Sequence, residues 1–171
     1  MPSNNHSKHS KQSKHTQNGE QLRLVTFSVG EELFAIDILR VLEICRFTAL
    51  TKVPQSPECV EGVINLRGRM IPVLDLRKQL GLQQTERTEQ TRIVMVEVQT
   101  QTIGLVVDSV HEVMYIASNM VELTARSGMS IDSSYVSGVA TLEDQLLILI
   151  ELDNLLSTES IGQVSQMSKA A

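Results

Sequence analysis

Tryptophan is missing from this chain of 171 residues, and three Phe with two Tyr supply all of its aromatic rings. Any core must therefore be built from Val, Ile, Leu and Met, and an apolar content of 42% is enough for one. Cysteine is equally sparse. Cys45 and Cys59, with 13 residues between them, match neither a zinc spacing nor a redox pair, which points to a reduced, cytosolic setting. Beyond residues 1–19 the one histidine is His111. A hydrolase would need a nucleophile, a base and an orienting group, and no G-x-S-x-G, G-x-G-x-x-G or G-x-x-x-x-G-K-[ST] is present. No catalytic activity and no cofactor are expected. The longest apolar run, Leu146 to Ile150, is far short of a bilayer span, and no apolar stretch near the amino terminus suits a signal peptide.

Charge is unevenly spread. Residues 1–19 hold Lys8, Lys11 and Lys14 and no acid, so the remainder carries 12 basic against 20 acidic residues. An acidic body has no electrostatic footprint for nucleic acid or anionic lipid. The basic, aliphatic-free stretch cannot bury enough surface to offset its ordering entropy and reads as a disordered tail, and residues 159–171 read as a second, flexible tail or a weak helix.

Between them the same pattern is written twice. Residues 59–80, CVEGVINLRGRMIPVLDLRKQL, align without a gap on 135–156, YVSGVATLEDQLLILIELDNLL: Val60, Gly62, Val63, Leu66, Leu76 and Leu80 recur as Val136, Gly138, Val139, Leu142, Leu152 and Leu156. Upstream, at a different offset, LVTFSV (24–29) matches IVMVEV (93–98), and AIDILRVLEI (35–44) matches GLVVDSVHEV (104–113). The domain at 20–158 is thus two similar halves, about 22–80 and 91–156, joined by the polar LQQTERTEQT. Two copies are too few for a solenoid.

Nine short runs rich in branched residues predict strands: LRLVTFSV, LEICRF, GVINLR, MIPVLDL, RIVMVEV, TIGLVVD, VHEVMYI, VSGVATL and LLILIEL. Tight turns such as Arg67-Gly68 and Glu143-Asp144 separate them into hairpins, indicating barrels or a sandwich. Helix is scarce. Ser56-Pro57 has the form of an N-cap, Asp75 caps a turn closed by Gly81, and Glu151 with Asp153 stands at the matching place in the second copy.

The blocks FSVGEELFAIDILRVLEI, GVINLRGRMIPVLDLRKQLGL and VSGVATLEDQLLILIELDNLL, in this order, resemble the CheW family of chemotaxis coupling proteins from Arg23 to Leu156. The resemblance implies two five-stranded SH3-like β-barrels that exchange strands around a shared core. It also implies a non-enzymatic adaptor bridging the helical tips of chemoreceptors to the histidine kinase CheA, cytoplasmic and recruited to membrane-associated receptor arrays. A related adaptor of another chemosensory or pilus pathway shares these features, and a small-molecule-binding barrel pair is the rival of a different class.

The repeat helps to weigh single positions, because a residue needed by the fold alone should look alike in both copies. Arg67 fails that test, since its counterpart is Glu143, and it occupies the arginine of the family's NLRG motif, which the resemblance places at the receptor contact. Val41 and Glu43 are mirrored by Val110 and Glu112, so the fold alone would explain them; the resemblance to the family's V-x-E-I pattern assigns them, with Val110 and Val113, to a receptor-binding groove. Gly62 and Gly68 are read as backbone requirements that shape that groove.

Overall fold

The computed structural model describes residues 20–123, 129, 131–156 and 166. The expected tails, 1–19 and 159–171, lie outside these apart from Gln166, which is helical and exposed. Among the described residues the elements are β1 Gln21–Val29, β2 Glu32–Asp37, β3 Val41–Arg46, β4 Val60–Leu66, β5 Arg69–Asp75, β6 Arg92–Val98, β7 Gln101–Val107, β8 Ser109–Ala117, β9 Val121–Glu122, β10 Val136–Leu142 and β11 Gln145–Ile150, with the short helix α1, Leu76–Gln79. Two of them, β2 and β9, were not among the nine expected. Glu32 and Asp37 at the ends of β2 disguise an apolar centre, Phe34-Ala35-Ile36, and β9 has two residues.

The strands form two sheets, ordered β8-β1-β2-β11-β10-β9 and β3-β6-β7-β5-β4. Neither order follows the sequence halves. The β1–β2 hairpin of the first half lies among strands of the second, while the β6–β7 hairpin of the second lies among strands of the first. Parallel pairings seal the exchange, β11 on β2 in one sheet and β5 on β7 in the other. The sheets are open ladders rather than closed cylinders, and β9 gives one of them a sixth strand.

Side-chain alternation sends each strand's apolar residues to two different cores. Val25, Phe27, Phe34, Ile36 and Ile148 of one sheet meet Val94, Val96, Ile103, Leu105 and Leu74 of the other in a shared core. The opposite face of the first sheet gathers Leu24, Ala35, Ile116, Ala140, Leu147 and Leu149. That of the second gathers Ile71, Val73, Ile93, Met95 and Val106, with Phe47 and Leu50 packed against them. The buried members of each of these two clusters come from the strands of a single sheet, so each sheet curls around its own cluster, the SH3-like form.

Asp75 caps α1 as expected, its Oδ1 accepting the Arg77 N–H at 2.9 Å, and Gly81 follows with φ +72°. The second copy differs. Glu151 makes no side-chain cap, Leu152–Asn154 is a 3₁₀ turn, and Asp153 within it pairs with Arg40 at 2.7 Å. Nor does a helix follow Ser56: the Val60 N–H bonds to the Pro57 carbonyl at 2.9 Å and β4 begins at once.

The connection between the halves is pinned by charge. Arg87 lies 4.3 Å from the centre of the Phe47 ring and 3.2 Å from Glu61 Oε2, while Lys78 pairs with the same carboxylate. Burial pushes the Glu61 carboxyl up, yet its bonds and charges with Lys78 and Arg87 outweigh that and hold it below the ordinary value. A depressed acid adds stability above the ordinary glutamate pKa of about 4.3, and this is lost as pH falls through the lower folded value. Glu61→Gln is therefore expected to cost about 1–3 kcal/mol at neutral pH and progressively less below about pH 4. Urea unfolding at both pH values measures this, and a gap independent of pH would contradict it.

Candidate functional site

Both edge strands that border the shared core begin with a half-buried valine. Val41 opens β3 opposite Val96, Val110 lies near the start of β8 opposite Phe27, and each packs against the shared core. The next residues on these edges differ in exposure. Val113, opposite the buried Val25, is 41% exposed, and Ile44, its counterpart on β3, is equally open opposite the buried Val94. An edge strand has a neighbour on one side only, so side chains that continue the core pattern reach solvent there.

Each edge is interrupted by a register shift, between Val41 and Glu43 on β3 and opposite Thr26 on β8. The shift turns Glu43 toward Met95, on the face opposite the shared core. There it meets Arg67: Nη1 to Oε2 is 3.4 Å and Nη2 to Oε1 is 3.5 Å. Arg67 and Gly68 form the two-residue turn between β4 and β5, with φ +53° and +81°, the left-handed pair that suits the twist of a hairpin. The guanidinium is 78% exposed, so the pair is worth at most about 1 kcal/mol to the fold.

The two glycines answer to different constraints. A Cβ on Gly68 would meet nothing within 4 Å, so its left-handed φ is what the turn requires. On Gly62 it would stand 2.6 Å from the Thr51 carbonyl oxygen, because Thr51 is bonded to Val63 in both directions, at 3.0 and 2.8 Å. Gly138 repeats this arrangement beneath β9, against Val121 and the Glu122 carbonyl.

Of the seven residues singled out in the sequence, the fold thus gathers Val41 and Val110 on one core from two sheets, pairs Glu43 with Arg67, and leaves Val113 in solvent. It adds Leu39, Leu42, Ile44, Tyr115, Met120 and Leu123, all exposed and large. Residue type gave no hint of these, since strand alternation places Leu42 and Tyr115 in sheet faces and only the edge position uncovers them. His111 is satisfied by Ser28, with Oγ to Nε2 at 2.5 Å. Among the described residues no group of three His, Cys, Asp or Glu side chains could hold a metal ion, and no helix is long and apolar enough to cross a membrane.

The curled, strand-exchanged pair of sheets has known counterparts. Residues 23–160 match the family model described as the CheW-like domain. The chain belongs to the CheW-like family. It is 33% identical over 146 residues to the chemotaxis protein CheW of Rhizobium meliloti, covering 85% of this chain and 94% of that one. With the Bacillus subtilis chemotaxis protein CheW the identity is 32% over 139 residues, covering 81% and 88%. Its fold superposes with a TM-score of 0.76 on the crystal structure of the scaffolding protein TtCheW from Thermoanaerobacter tengcongensis, at 39% identity over 82% of this chain and 96% of that one. As a CheW-like protein it serves chemotaxis signalling as a scaffolding adaptor.

Proposed function

We propose that this adaptor couples the cytoplasmic helical tip of a chemoreceptor to the regulatory domain of the kinase CheA, and does so by holding both rather than by chemistry. The receptor tip lies along the apolar edge made by Val41, Val110 and Val113, with Gly62 and Gly68 shaping the backbone beside it. Arg67, oriented by Glu43, supplies the charged end. The observation that carries this reading is the Arg67–Glu43 pair, which the second copy of the repeat cannot make because Glu143 replaces the arginine. A helical hairpin presents apolar side chains at i, i+3, i+4 and i+7, which an apolar edge accepts, and the charge sets register and partner choice. The kinase takes a separate surface, so that receptor arrays at the membrane recruit the adaptor and kinase together, with effective concentrations raised by multivalency.

Mixing the protein with a receptor-tip fragment and a CheA regulatory fragment is expected to give a ternary complex; two mutually exclusive binary complexes would refute the bridge. Within that assay, Val113→Lys is expected to weaken receptor capture about tenfold with an unchanged melting temperature, because Val113 is already exposed. Val41→Lys is expected to weaken capture and also cost about 1–3 kcal/mol, since its side chain touches the shared core. If Val113→Lys binds the receptor fragment as tightly as the parent, the β8 edge is not part of the site.

A further inference from the structure

The repeat makes the two barrel mouths comparable, and they differ in one respect. In the β3-edged sheet the hairpin residue Arg67 reaches back to Glu43 on the edge strand. In the β8-edged sheet the same two positions are Glu143 and Glu112, both acids, and Asp144 follows at the second turn position. None of the three takes part in an ion pair among the described residues. Between them lies an open groove of about 820 Å³ floored by Leu33, Met114, Ile116 and Leu142, with Tyr115 and Met120 at its rim. These two rim residues are 62% and 47% exposed, so the groove is apolar inside and acidic where Glu112, Glu143 and Asp144 line it, and among the described residues no cation stands there as Arg67 stands beside Glu43 in the other repeat.

We infer that this groove is the docking site of the chain's own amino-terminal segment, residues 1–19. The attachment point, the charge and the reach all favour that occupant. The segment joins the fold at Glu20, whose carbonyl accepts the Ser118 N–H at 2.8 Å, two residues from the groove residue Met120. It carries Lys8, Lys11 and Lys14 and no acid, against Glu112, Glu143 and Asp144. From Glu20, an extended chain brings Lys14 within about 20 Å and Lys8 within about 40 Å, enough to cross the mouth of a small barrel. Having no aliphatic residues, the segment fills the groove with lysine stems, which lie over Met114, Met120 and Tyr115 while their ammonium groups meet the carboxylates. A lysine of the tail thus does for one mouth what Arg67 does for the other. Because the tail is tethered, it acts at an effective concentration of about 1 mM, and any cationic partner entering the groove must displace it.

Carbodiimide cross-linking of the full chain, read by peptide mass spectrometry, tests this directly. Amide links from Lys8, Lys11 or Lys14 to Glu112, Glu143 or Asp144 are expected to dominate at low salt and to fall about fivefold or more at 1 M NaCl, where the Debye length is about 3 Å. Glu143→Arg, which the same turn in the other repeat shows to be a foldable choice, is expected to abolish the remaining links to Glu112 by supplying the cation in place; Glu143→Gln should reduce them less. Links scattered over surface acids in proportion to exposure would overturn the inference. So would links formed mainly between isotopically distinct copies in a mixed sample, which would assign the groove to a second molecule.

Discussion

Arg67→Glu is expected to weaken binding of a receptor-tip fragment about tenfold or more, while the melting temperature moves by less than about 4 °C. The fold tolerates the change because Glu143 occupies the matching turn position with φ +52°, almost the same as the +53° of Arg67. The side chain is exposed, and loss of an exposed pair costs about 0–1 kcal/mol. What changes is the sign of the charge offered at the end of the apolar edge, now set against Glu43 as a like charge. Titration calorimetry with the receptor fragment measures the loss. The charge swap Glu43→Arg with Arg67→Glu then separates two effects. It restores the pair but not its polarity, so recovery of binding would mean that the pair merely stiffens the hairpin, and continued loss that the guanidinium itself is read. An unchanged affinity in the single variant would remove Arg67 from the site.

Gly62→Ala is expected to be the most damaging of the glycine changes to stability, at about 2–4 kcal/mol. Its new methyl would lie 2.6 Å from the Thr51 carbonyl and 3.0 Å from Leu50 Cβ. Backbone cannot rotate out of the way as a side chain can, so the segment must lose its two bonds to Val63 or the bulge between Val60 and Gly62 must rearrange. Gly138→Ala meets the Val121 side chain before the Glu122 carbonyl at 3.1 Å, and is expected to cost less. Gly68→Ala enters open space and pays for its left-handed φ alone, about 1 kcal/mol. Thermal unfolding of the three variants should rank them in that order, with a fall of about 5–12 °C for Gly62→Ala. Equal losses at Gly62 and Gly68 would mean that contact with Thr51 is not what holds residue 62 to glycine.

Most of the strands and their hairpins were legible because alternation and turn chemistry are local. Arg67-Gly68 and Glu143-Asp144 lie between branched runs, and each takes up the two-residue turn that such a spacing requires. Asp75 capped α1 for the same reason, its partner being two residues away. Expectations failed where a distant group competed. Asp153 stays in its local turn but turns its carboxylate to Arg40, which is 113 residues away in sequence, and β2 escapes a local reading because its flanking acids mask a centre buried by strands of both halves. Within the candidate site, Arg67 stood out through the broken symmetry of the repeat. Ile44 and Tyr115 did not, since an apolar residue in a strand is ordinarily buried and only membership of an edge exposes it.

By itself the sequence determined that there are two copies of one β-rich unit, an aliphatic core, a hairpin arginine without a mirror image and a cationic segment ahead of an acidic body. Tertiary structure decided which copy each hairpin serves. Strands apolar on both faces, such as β1 with Leu24 on one side and Val25 and Phe27 on the other, satisfy either sheet equally well as far as local pattern goes. The choice falls to the parallel pairings Leu147–Leu33 and Val73–Gly104, joining residues far apart in the chain, and to the shared core that forms only when both hairpins are exchanged. Burial of a second face is a property of the assembled layers, and no single half contains the atoms that bury it.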